Sequence, residues 1–153
     1  MRYRMNLAPG DDQKLLQLVQ GNYFQGIRLS YGANLYVRPA SGNSFEFGPP
    51  YAWALAKGTY SNLTGYWIYK SGGITQCWQA VNANGPLDFW NWDGLASPAI
   101  PQDWELFVFE LVDANAGVVR VKNIYGRYVR FAPPGLACDA GLGNDAHFYV
   151  EFC

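Results

Sequence analysis

"VKNIYGRYVRFAPPGLACDAG" (residues 121–141) has a near-copy 41 residues upstream, "AVNANGPLDFWNWDGLASPA" (residues 80–99). Asn82, Gly85, Gly94, Leu95 and Ala96 stand where the later stretch has Asn123, Gly126, Gly135, Leu136 and Ala137. Extending the gapless shift to Cys77–Leu111 and Val118–Phe152 adds Ala99 with Ala140, Phe107 with Phe148 and Glu110 with Glu151. Self-similarity at a fixed period marks one supersecondary unit used more than once.

A third, longer copy precedes these two. "GIRLSYGANLYVRP" (Gly26–Pro39) echoes "VVRVKNIYGRYVRF" (Val118–Phe131), including Tyr-Val-Arg at 36–38 and again at 128–130. The aromatic endings "YWIY" (Tyr66–Tyr69), "FVFE" (Phe107–Glu110) and "FYVE" (Phe148–Glu151) are spaced by 41 residues. The first copy reads as extended by a loop around "SFEFGPPYAWALAKGTYSN". Within each unit, apolar residues alternate at period two (Ile27 and Leu29; Trp78 and Ala80; Val119 and Val121), followed by a turn glycine (Gly32, Gly85, Gly126). Short strands at regular spacing with turn signals predict an all-β barrel or sandwich.

Three such units in one chain of this length predict a β-trefoil: twelve strands, six in a barrel and six in hairpins that cap it. The units are expected at about residues 22–70, 71–111 and 112–153, in a single domain over 22–153. Residues 1–21 form a lead-in, in which "DDQKLLQLVQ" predicts a short helix capped by Asp11 or Asp12.

Composition fits this reading. The 153 residues are 17% aromatic and only 15% charged, with 17 glycines and 9 prolines, a mix suited to strands and turns. A net charge of −1, with cations scattered, argues against a nucleic-acid partner. No apolar run reaches the length of a membrane helix, so no membrane insertion is expected. The charged start "MRYRMNLAPGDDQ" lacks a signal-peptide core, so a cytoplasmic location is expected, a removed leader being the alternative. Cys77, Cys138 and Cys153 are odd in number and lack metal spacing, and packed, reduced thiols are expected. "NLT" at Asn62 is a glycosylation triplet that matters only in a secreted chain.

"VVRVKNIYGRYVRFAPPGLACDAG…HFYVEF" resembles the repeat of fascin-type, actin-crosslinking β-trefoils, with Gly126, Tyr128, Val129, Gly135, Leu136, Ala137, Phe148 and Val150 in that pattern. The second unit follows it with Gly85, Leu87, Gly94, Leu95, Ala96, Trp104, Phe107 and Phe109. The resemblance implies the fold, and an actin or other protein partner as one function. The trefoil shape is shared with ricin-B-type lectins and protease inhibitors, and shape alone does not choose among them.

Nothing in the chain predicts an enzyme, a cofactor or a metal site. His147 is the one histidine, and Cys138 nine residues before it makes a Cys–His pair conceivable without further support. Binding has the better candidate. In "LDFWNWDG", Asp88, Trp90, Asn91, Trp92 and Asp93 combine flat indole platforms for sugar rings with groups that hydrogen-bond hydroxyls. The extended loop of the first unit adds Tyr51, Trp53, Tyr60 and Asn62 as a second candidate. The expectation is a carbohydrate-binding module with shallow sites, strengthened by several sites or by a homo-oligomer. The alternatives are an actin-binding, fascin-like module using the Arg120–Arg130 face, and a protease inhibitor acting through an exposed Gly48–Ser61 loop.

Overall fold

The structure is a computed structural model, and it describes residues 9–32, 34–42, 44–71, 76–80, 85–91, 103–133, 135–139 and 146–153. These form helix α1 (Asp11–Val19) and strands β1 (Gly26–Ser30), β2 (Tyr36–Pro39), β3 (Phe45–Gly48), β4 (Trp53–Tyr60), β5 (Leu63–Lys70) and β6 (Gln76–Ala80). They continue with β7 (Gly85–Asn91), β8 (Phe107–Asp113), β9 (Val118–Asn123), β10 (Tyr128–Ala132), β11 (Gly135–Asp139) and β12 (Phe148–Phe152). A 3-10 turn, Asp103–Glu105, leads into β8. No helix among the described residues is long and apolar enough to cross a membrane.

Helix α1 forms where its leucines predict it, but its cap differs. Gly10, with φ 91°, occupies the cap position and Asp11 is already the first helical residue. Asp11 and Asp12 then lie in the first turn, where negative charge suits the helix dipole. Leu15 and Leu18, three apart on one face, are both buried in the main core. The lead-in therefore shares the hydrophobic core of the strands. Tyr66 ties the two together: its hydroxyl donates to the Leu18 carbonyl at 3.2 Å and accepts from the Tyr23 amide at 2.9 Å.

Every described strand pairing is antiparallel, and the ladders close on themselves. β1, β4, β5, β6, β7, β11, β10, β9 and β12 form a nine-strand circuit, because β1 pairs both β4 and β12 and β10 pairs both β9 and β11. β2 and β3 hang from β1 outside it, and β8 lies outside it bridging β5 and β9. This corrects the expected β-trefoil of six barrel strands capped by three equivalent hairpins. The β11–β7 ladder (Ala137 opposite Pro86, Cys138 opposite Gly85) draws hairpins β6–β7 and β10–β11 into the wall, whereas β2–β3 stays outside.

Two further expectations change. The supposed loop extension of the first unit contains β3 and all of β4, so Gly48–Ser61 is no exposed inhibitory loop. β4 is laddered along its whole length to β5, and Trp53 and Leu55 are buried. The 41-residue shift is also only half structural. It holds for Tyr66, Phe107 and Phe148, each 1% exposed or less. It fails upstream, since Cys77–Ala80 is the first arm of hairpin β6–β7 while Val118–Val121 lies in β9 between β8 and β12.

The core is aromatic. Trp53 and Trp78 meet edge to face at 5.3 Å, Phe45 stacks on Phe89 at 4.4 Å, and Trp78 lies against Phe107 at 5.9 Å. Geometries of this kind contribute about 0.5–1.5 kcal/mol per pair beyond area burial. Two glycines allow the close approach of β4, β5 and β8. A Cβ on Gly58 would lie 2.6 Å from Leu106 and Trp67, and one on Gly65 would lie 2.9 Å from the Phe107 carbonyl oxygen.

Candidate functional site

Three hairpins, β2–β3, β6–β7 and β10–β11, begin in the same way. The first strand of each pairs back on the strand before it: Tyr36 opposite Ser30, Cys77 opposite Tyr69, and Tyr128 opposite Lys122. Two residues further on stand Arg38, Gln79 and Arg130, on the same strand face as those first residues.

In two hairpins the arginine is matched by a carboxylate on the second strand. Arg38 Nε lies 3.2 Å from Glu46 Oε2. Arg130 Nε donates to both oxygens of Asp139, at 2.9 and 3.0 Å. In β6–β7 the carboxylate is present and the cation is not. Gln79 faces Asp88 across the ladder, but its Nε2 donates to Oε2 of buried Glu105 at 3.1 Å. Asp88 Oδ1 is buried with no hydrogen-bond partner among the described residues. Burial pushes the Asp88 carboxyl up to about 6, although its own backbone amide pulls the other way.

The strand sets which side chains accompany Asp88. Leu87 and Phe89 are buried at 4% and 2%, so Asp88 and Trp90 share the outer face of β7. Both are half-buried. Of the residues singled out in "LDFWNWDG", Asp88 and Trp90 therefore lie side by side on one strand face. Asn91 closes β7 opposite Gln76, and Trp92 and Asp93 lie outside the described residues.

The second predicted group does not assemble around this hairpin. Trp53 is fully buried and its Nε1 donates to the Val37 carbonyl at 3.0 Å, which makes it a core residue. Tyr51 packs on Trp53 with ring centroids 4.8 Å apart, and its hydroxyl accepts from the Ser71 amide at 3.0 Å. Tyr60 and Asn62 sit at the β4–β5 turn, with Tyr60 half-buried and Asn62 exposed. Trp90 lies opposite Cys77 and hence level with Tyr69, roughly 20 Å along β5 from that turn at the usual rise per residue.

The basic stretch Arg120–Arg130 is largely neutralised. Glu110 holds Arg120 at 3.1 Å and Lys122 at 2.8 Å and accepts from the Tyr128 hydroxyl at 2.9 Å; Asp139 holds Arg130. Glu151 makes a related contact on β12, 3.7 Å from Arg28 and accepting from Tyr36 at 2.9 Å. The conceivable Cys138–His147 pair loses its nucleophile: Cys138 is fully buried, its thiol donates to the Arg127 carbonyl at 3.4 Å, and burial pushes it up to about 12. Cys77, Cys138 and Cys153 are free thiols, with Cys153 exposed. No group of three or more metal-ligating side chains occurs among the described residues.

Gln79 and Glu105 were not legible as site residues. The signal was the repeated Tyr-Val-Arg: its place in the second hairpin is held by Cys77, Trp78 and Gln79, where the arginine is lost. The gapless shift hid this by setting Asp88 against Val129 of β10.

No protein-family model matches the chain, and no curated protein matches it. Solved structures do. The chain is similar to SeviL bound to asialo-GM1 saccharide, with a TM-score of 0.60 at 16% identity, over 85% of this chain and 98% of that one. At that identity the likeness shows the fold alone, all-β and barrel-like, held in common with a protein bound to a saccharide. It does not reach the fascin-like and trefoil details of the sequence resemblance.

Proposed function

We propose that this protein is a non-enzymatic carbohydrate-binding module whose site is the outer face of hairpin β6–β7. One observation carries the reading: Asp88 is a half-buried carboxylate whose shielded Oδ1 has no partner among the described residues, in the one of the three hairpins where glutamine stands in place of arginine. A desolvated acceptor without a partner costs stability and fits a purpose met on ligand binding. Sugar hydroxyls are suitable donors, and Trp90 on the same face offers a ring for the C–H side of a pyranose. The saccharide-bound SeviL structure, similar in fold, adds support. The fascin-like alternative has less, because three of the four cations of the Arg120–Arg130 face, Arg120, Lys122 and Arg130, are already engaged by Glu110 and Asp139.

The test is a glycan array probed with the protein as a labelled streptavidin tetramer, alongside Asp88→Asn and Trp90→Ala. Selective binding that both variants lose while keeping their circular dichroism spectra is the expected result. A blank array from the folded, multivalent protein would overturn the reading.

A further inference from the structure

Resting on that carbohydrate reading, we infer that the β6–β7 face selects uncharged saccharides and rejects acidic ones, and that the replacement of arginine by Gln79 opens and tunes this site. The half-buried Asp88 carboxylate accepts and cannot donate when ionised, so it calls for a hydroxyl or amide N–H from the ligand. The flanking amide of Gln79 is committed to Glu105, and among the described residues no cation pairs with Asp88 to balance a second anion. Lys70 is directed elsewhere: its Nζ lies 4.4 Å from the centre of the Phe89 ring, which belongs to the inner face of β7. Arg130 is two strands away, bound by both oxygens of Asp139. A sialic-acid carboxylate or a sulfate would therefore approach an incompletely hydrated carboxylate without compensation, a juxtaposition that is strongly unfavourable.

The same comparison explains why this hairpin and not the other two. In β10–β11 the chain's own arginine occupies the acceptor that a hydroxyl would use, and in β2–β3 Arg38 stands 3.2 Å from Glu46 as an ion pair. Gln79 has the reach of a polar side chain without the charge, and it is held away from Asp88 by Glu105. Restoring arginine at position 79 should satisfy Asp88 internally and close the site without disturbing the core, because position 79 is half-buried on the outer face.

The experiment is a comparison of matched glycans, each core offered neutral, sialylated and sulfated, probed with the tetramer at about pH 7.5, where an Asp88 carboxyl is ionised. Neutral forms should be retained at least about 10-fold better than their acidic partners, a gap of only one pKa-unit equivalent in free energy. Gln79→Arg should lose neutral glycans by about 10-fold or more while its melting temperature holds or rises. Equal retention of acidic and neutral forms by the wild type overturns the charge rule and leaves carbohydrate binding standing. Undiminished binding by Gln79→Arg overturns the role given to position 79. Absence of binding to every glycan overturns the underlying reading and this inference with it.

Discussion

Hairpins β10–β11 and β6–β7 start from the same backbone position and end in opposite electrostatic states. In the first, Arg130 closes on Asp139 with two hydrogen bonds. In the second, a glutamine turns to a buried glutamate and leaves Asp88 desolvated and unmatched. The difference teaches where to look in a chain built from similar pieces. Shared positions, such as buried Val129 of β10 and Trp78 of β6, hold the barrel together. A position that breaks its own local rule at a cost to stability is the place to expect a ligand.

The largest way to sharpen that contrast is to compare tryptophans. Trp53→Ala removes a fully buried indole that touches Phe45, Tyr51, Trp78 and Phe89, and should destabilise the protein by about 3–5 kcal/mol in chemical denaturation. Trp90→Ala, on the outer face, should cost less than about 1 kcal/mol and abolish glycan binding. A loss of several kcal/mol at Trp90 would place it in the core and remove it from the site.

Asp88→Asn separates stability from binding. A carboxyl pushed up to about 6 is most favourable when protonated, so its contribution to folding is full below about pH 4 and is lost as pH rises through about 6. A shift of about two units corresponds to roughly 3 kcal/mol in a sealed site, and solvent around this half-buried group reduces that to about 1 kcal/mol. Asn imitates the neutral acid. The variant should therefore be about 1 kcal/mol more stable than wild type at neutral pH, equal to it near pH 4, and unable to hold glycan. Denaturation series across that pH range check the sign, and an Asp88→Asn variant less stable than wild type at pH 7 would show that Asp88 has an internal partner.

How much of this was legible beforehand varies by residue. The alternation of Ile27 and Leu29 and the spacing of Tyr66, Phe107 and Phe148 gave the all-β class and part of the core, because burial on one strand face leaves a direct trace in sequence. Asp88 and Trp90 stood out in the sequence by residue type alone, an acid and an indole within a hairpin pattern, while their common strand face is read from the buried Leu87 and Phe89. The strand circuit was not legible. Glycine marks any position that needs positive φ, so Gly85 (φ 133°), the first residue of β7, aligned with Gly126 (φ 83°) in the turn before β10, two different places in the fold. The connections also differ in length, 92–106 after β7 against 140–147 after β11, which a gapless shift cannot absorb. Trp53 was misplaced because an aromatic in a presumed loop looks available, and only the β4–β5 ladder shows it pointing inward.

Glu110 offers a smaller, opposite test of the same electrostatic contrast. Burial raises its pKa, but hydrogen bonds from Lys122 and Tyr128, with the charges of Lys122 and Arg120, outweigh this and hold the carboxyl below its ordinary value. A depressed carboxyl stabilises the fold above its unfolded pKa and loses that contribution as pH falls through the folded one, here below about pH 4.5. Glu110→Gln should cost about 1 kcal/mol at neutral pH, since the pairs are partly exposed, and flatten the acid limb of the stability curve. The pH dependence of Asp88 therefore runs one way above about pH 4 and that of Glu110 the other way below it.

The smallest effect should come from making hairpin β2–β3 resemble β6–β7. Arg38→Gln removes an ion pair whose glutamate is 50% exposed, so the change in stability should stay within about 0.5 kcal/mol. Losing the cation is not by itself enough to make a site: Glu46 at that exposure is hydrated by bulk water, whereas Asp88 Oδ1 is shielded from it. Arg38→Gln should thus leave glycan binding at the wild-type level, measured on the same array. If it instead creates a second site, then vacancy of the arginine position, and not the shielding of Asp88, is what makes a hairpin bind, and the distinction drawn between the hairpins would have to rest on charge alone.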